Sequence, residues 1–122
     1  YAKIHPAFLK GRAAIINNDK AELKKQADFI KAEIEKALAA SALGYLGPKY
    51  IAATTDAARA HAIGEGLGFI YSLRFATVNG ADAAFSDAII KALVLDSAGG
   101  FWDLTPSKLT AASDAIKAKF KL

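Results

Sequence analysis

Between Asp19 and Gly47-Pro48 the chain carries one unbroken helical pattern, and that span constrains the fold more than any other. From Leu23 the apolar positions run through Ala27, Ile30, Ile34, Ala37 and Leu38, then Ala42, Tyr45 and Leu46. This three-to-four-residue spacing lays one apolar stripe along a helix. Asp28, Lys31, Glu35 and Lys36 fill the opposite, solvated face. Asp19 is a good N-cap, with Glu22 three residues on completing a capping-box-like pair, and Gly47-Pro48 stops the helix.

A helix with an apolar stripe needs partners, and the rest of the sequence supplies helices rather than strands. Ahead of it, Pro6 stands where a proline at the first helical position would sit, followed by Phe8, Leu9, Arg12, Ile15 and Ile16 at helical spacing, until Asn17-Asn18 breaks the run. Behind it, Lys49 to Thr55 forms a short turn, and Thr54, Thr55 or Asp56 caps a third major helix over 56–75. Past Asp56 that helix is apolar nearly all round, interrupted chiefly by Arg59, His61, Glu65 and Arg74, so it is expected at the centre of the bundle. Its three glycines, Gly64, Gly66 and Gly68, each cost roughly 0.5–1 kcal/mol against alanine, which points to close helix contact or a local distortion.

After a Val78-Asn79-Gly80 turn, Asp82 or Ser86 starts another helix through Phe85, Ile89, Ile90, Leu93 and Val94. Phe101-Trp102-Asp103-Leu104 is expected to tuck over the bundle end as a hydrophobic connector. Thr105-Pro106 then caps a final helix that turns Leu109, Ile116 and Phe120 inward. The aromatics Tyr45, Tyr50, Phe69, Tyr71 and Phe75 are likewise expected in the core. The expectation is therefore all-α: a four- to five-helix bundle with a central apolar helix, forming a single domain over residues 1–122.

Composition agrees. The 122 residues are long enough for one core burying about two-thirds of the unfolded surface. Hydrophobic residues make up 53%, too many for a disordered chain. No Cys is present, so disulfides, zinc–thiolate sites, iron–sulfur clusters and covalent haem attachment are excluded. No Met is present either, so a chain beginning at Tyr1 suggests a processed product or part of a longer precursor, trimming aside. No apolar run approaches the roughly 18 residues of a transmembrane helix.

The net charge of +4 is unevenly placed: residues 1–25 carry six basic and two acidic residues, whereas 81–104 carry four acidic and one basic. Thirteen of the 16 basic residues are Lys, recurring on helices that also carry Asp and Glu. Nucleic-acid readers lean on Arg interleaved with aromatics, so a solvated face is the better reading and no nucleic-acid partner is expected. Nucleophilic catalysis lacks its parts: there is no Gly-x-Ser-x-Gly elbow, and His5 and His61 are the only histidines. The Gly64-x-Gly-x-Gly run lies inside a helical pattern rather than after a strand, so it is no dinucleotide fingerprint. No catalytic residue is assigned.

One pair carries a chemical argument. His61 and Glu65, at i and i+4, project from one face of an otherwise apolar helix and could share a divalent metal or iron. Helical bundles build metal sites from Glu and His on facing helices. Here Glu33, Glu35, Asp28 or Asp87 would have to add ligands. The plainer alternative is a His–Glu hydrogen bond, or Glu65 satisfying backbone groups near the glycines.

Three stretches together also resemble a known family: Lys10-Gly11-Arg12-Ala13-Ala14-Ile15-Ile16-Asn17, Ala60-His61-Ala62-Ile63-Gly64-Glu65-Gly66-Leu67-Gly68-Phe69-Ile70, and Gly100-Phe101-Trp102-Asp103-Leu104-Thr105-Pro106. They resemble the C-terminal part of a bacterial family of secreted or lipid-anchored helical proteins of uncharacterised function. The family's proteins are longer, so the resemblance implies that this chain is the C-terminal portion of a precursor. A looser similarity is to imelysin-like proteins, helical surface proteins linked to iron uptake. Their Gly-x-His-x-x-Glu motif differs here, where Arg59-Ala60 precede His61 and three residues separate it from Glu65. That family has no established activity to carry over; the expectation is an extracytoplasmic, non-enzymatic protein that binds a protein partner or assembles with itself or its precursor. The apolar helix over 56–75 supports it, since its surface would seek a partner if left partly uncovered. Imelysin-like metal or iron binding through His61 and Glu65 is the alternative.

Overall fold

The long helix forms as its caps require. In a computed structural model describing residues 2–122, Asp19 accepts the Glu22 backbone N–H at 3.0 Å and opens α2, Lys20–Leu46. At 27 residues it is about 40 Å long and serves as the spine of the molecule. The remaining helices are α1 (Ile4–Ile16), α3 (Pro48–Ala52), α4 (Asp56–Ser72), α5 (Ala83–Ile90) and α6 (Pro106–Phe120). No strand is present among the described residues. The architecture is an all-α helical bundle.

Local chemistry sets each boundary. Thr55, Asp82 and Thr105 cap α4, α5 and α6 by accepting the backbone N–H groups of Ala58, Phe85 and Lys108. Gly80, at φ 74°, closes the turn before α5 in a conformation that glycine adopts without strain. Past Ile90, the α5 helix widens over Lys91–Leu95, where the Asp96 N–H bonds back to the Lys91 carbonyl at 3.0 Å.

The core lies at one end of α2. Its largest fully buried apolar side chains, Leu46, Ile63, Ile70, Leu73, Leu93, Ile116 and Phe120, come from the C-terminal half of α2 and from the chain between the start of α4 and the end of α6. Leu109, Ile116 and Phe120 thus face inward as their spacing predicts. No residue of α1 belongs to this core. Helix α1 packs extensively only against the N-terminal half of α2, so the two form an arm extending from the bundle.

Four expectations need correction. The first is the face of α1. Large apolar residues at helical spacing ordinarily pack inward, yet Phe8, Leu9, Ile15 and Ile16 are 58%, 54%, 64% and 72% exposed, while Ala7, Gly11 and Ala14 face α2. Small residues let the two backbones approach: a Cβ on Gly11 would already stand 3.8 Å from that of Gln26. The helix also starts two residues before Pro6, which the first turn accommodates because its N–H groups have no intrahelical partner.

The second is Glu35, assigned to the solvated face of α2 but buried in the structure. Its carboxylate accepts N–H donors from Val78 (3.2 Å) and Asn79 (2.8 Å), and the Asn79 Nδ2 group at 2.7 Å. It pins the 3₁₀ turn Thr77–Asn79 to the middle of α2.

The third is α4. It packs between α2 and α5, but only Ala62, Ile63, Gly66 and Ile70 are buried, and the opposite face meets solvent. Tyr71 and Phe75 on or beyond that face are exposed too, Tyr71 lying against the Arg74 guanidinium. The glycines divide by role. A Cβ on Gly66 would meet Tyr45 Cβ at 3.2 Å, whereas Gly64 and Gly68 have open space above them.

The fourth is the connector. Phe101 and Trp102 are exposed rather than packed over the bundle end. Asp103 accepts the Gly99 N–H and holds Gly100–Asp103 as a 3₁₀ turn, so Leu104 packs on the core while the Trp102 ring faces outward.

Candidate functional site

The sequence directs attention to His61 and Glu65. Both lie on α4, and both side chains are exposed on the face that also carries Gly64 and Gly68. Glu65, Gly64 and Gly68 line a shallow apolar groove with Leu38, Phe69 and Ser72. The pair therefore sits on one surface, as the i, i+4 spacing requires, but in an open setting rather than a buried one.

The four carboxylates considered as further ligands are engaged elsewhere. Glu33 pairs with Lys3 and Lys36, Asp28 with Lys24, and Asp87 with Arg74 at 2.6 Å, while Glu35 holds the turn at Asn79. Among the described residues no group of three or more His, Asp or Glu side chains is placed to hold a metal ion. Among the described residues His61 and Glu65 thus stand as two donors, where a tetrahedral metal centre takes three or four ligands.

A different surface stands out once side chains are placed. On α1, Phe8 and Ile15 form one row and Leu9 and Ile16 a second, each pair seven residues apart. All four are more than half exposed. Arg12 lies between the rows, three or four residues from each of the four, so it shares their face. The usual sign of a helix packed on its own core is large apolar residues inward. Here that order is reversed: the side chains able to stabilise a contact most, each worth roughly 1.5–3 kcal/mol when fully buried, face solvent. Spacing alone could not reveal this, because periodicity defines a stripe without saying which partner lies against it.

On the other side of α1 from Arg12 the arm is basic. Lys3, Lys10 and Lys25 ring a small hollow floored by Pro6, Ala7 and Phe29. Helix α1 itself contains no acidic residue. No helix among the described residues is long and apolar enough to cross a membrane.

No curated protein and no solved structure matches the chain. A family model does match, over residues 1–122, so the chain belongs to the family described as Domain of unknown function (DUF4856).

Proposed function

We propose that this is a non-enzymatic extracytoplasmic helical protein that acts through binding or assembly, and that the outward face of α1 is the surface it uses. The observation carrying this reading is the reversal of α1, with Phe8, Leu9, Ile15 and Ile16 more than half exposed on one helix. Contiguous exposed apolar surface on a folded protein is a mark of an interaction site. The likeness to secreted or lipid-anchored proteins supports the extracytoplasmic setting.

Native mass spectrometry of the protein from its source tests the proposal. The wild type is expected with a second polypeptide or further copies of itself. Phe8→Ser/Ile16→Ser is expected as a single chain with an unchanged circular dichroism spectrum. A wild type that remains a bare monomer across a concentration series overturns the reading.

A second reading keeps His61 and Glu65 as part of an imelysin-like site for a divalent metal or iron. Its support is that both side chains are exposed on one helical face, where a partner could add the missing ligands. It predicts one metal ion per chain in the assembled protein, lost in both His61→Ala and Glu65→Ala. Retention of metal in either variant removes this reading.

A further inference from the structure

We infer that the outward face of α1 docks an acidic amphipathic helix of another polypeptide, with a carboxylate of that helix meeting Arg12 between the two apolar rows. The inference rests on the assembly reading above and adds the chemistry of the partner.

Charge selects it. Arg12 is exposed and has no ion pair or hydrogen-bond partner among the described residues. The arm's own acids are committed: Asp19 caps α2, Glu22 accepts Gln26 Nε2, Asp28 pairs with Lys24, Glu33 with Lys3 and Lys36, and Glu35 holds the turn. An occupant of this face must therefore bring its own negative charge.

Geometry narrows the choice further. Two rows repeating every seven residues match the ridge spacing of a facing helix, whose side chains seat between them. A second copy docked through the same face would bring two Arg12 guanidinium groups together with no carboxylate between them, a like-charge juxtaposition. An anionic bilayer would meet the charge requirement. However, Arg12 stands in the middle of the apolar face, where insertion would carry it toward hydrocarbon; interfacial helices keep their cations on the polar side. Against a protein helix the same central guanidinium becomes an asset, because one carboxylate can accept two of its N–H groups in parallel.

The test is selection from a displayed library of helical peptides, each with two heptad-spaced leucine rows and one randomised residue between them. The bait is the full chain: wild type, Arg12→Glu or Phe8→Ser/Ile16→Ser. The wild type is expected to enrich Asp and Glu at the randomised position over Lys and Arg by roughly tenfold, and Arg12→Glu to reverse that preference. Because both baits share one fold and differ in one exposed side chain, reversal cannot come from unfolding. Binders that need Phe8 and Ile16 but ignore the charge at residue 12 overturn the acidic partner while leaving the assembly reading standing. Failure to obtain any peptide dependent on Phe8 and Ile16 overturns the inference. Binding to phosphatidylserine vesicles, or self-association through the same residues, without peptide binding also overturns it and names the occupant that replaces it.

Discussion

Gly66 and its two neighbouring glycines show how one residue type takes opposite roles within a single turn. Each loses roughly 0.5–1 kcal/mol of helix stability relative to alanine. Above Gly64 and Gly68 a methyl group meets nothing within 4 Å, so Gly64→Ala and Gly68→Ala should each stabilise the chain by about that amount. At Gly66 the added Cβ lies 3.2 Å from Tyr45 Cβ, an atom fixed to the α2 backbone that cannot swing aside. Widening the α2–α4 contact costs about 1–3 kcal/mol, more than the helix gains, so Gly66→Ala should destabilise. Urea unfolding of the three variants checks the signs; a stabilised Gly66→Ala would mean that α2 and α4 separate freely. Glu35 belongs at the same scale. Glu35→Ala removes the acceptor for the Val78 and Asn79 N–H groups and should cost about 1–3 kcal/mol, with Glu35→Gln costing less because one acceptor oxygen remains. Losses near zero for both variants would show that the carboxylate's hydrogen bonds contribute little.

At the scale of the element, α1 inverts the usual rule for which substitutions a helix tolerates. Its large apolar residues are exposed, so Leu9→Ser or Ile16→Ser should leave stability within about 0.5 kcal/mol of wild type. Its alanines are the contact, and Ala14, 5% exposed, has no room for a larger side chain. Ala14→Leu should therefore cost about 1–3 kcal/mol or release α1 from α2. Thermal unfolding followed by circular dichroism separates the two classes. A large loss for Ile16→Ser would mean that the outward face is covered within the chain itself, and the proposed interaction surface would go with it.

For the molecule as a whole, the core and the arm should differ in stability. The core buries Leu, Ile and Phe side chains, whereas the α1–α2 contact buries chiefly Ala and Gly, with little apolar area to remove from water. Local opening follows such differences. Amides of α1 are expected to exchange with solvent at a lower free-energy cost than those of α4 and α6, and to gain protection when a partner helix binds. Native-state hydrogen exchange reads both effects. Exchange of α1 together with the core would show that arm and bundle form one cooperative unit.

The sequence by itself determined where the helices run. Asp19 and Thr105 mark starts through side chains that accept backbone N–H groups a few residues away, Thr55 and Asp82 do so as one each of two or three candidates, and Gly47-Pro48 and Gly80 mark breaks through backbone geometry. These are local interactions, complete within one turn of chain. Also legible were the inward face of α6 and the shared face of His61 and Glu65, because each follows from helical spacing. Only the tertiary structure decided which apolar stripe is covered. The exposure of Phe8, Ile16, Phe75 and Trp102, the burial of Glu35 against a turn 43 to 44 residues away, and the different surroundings of Gly64 and Gly66 all depend on distant neighbours. Periodicity describes one helix at a time, but burial belongs to pairs, and the partner of each face is set by how the whole chain packs.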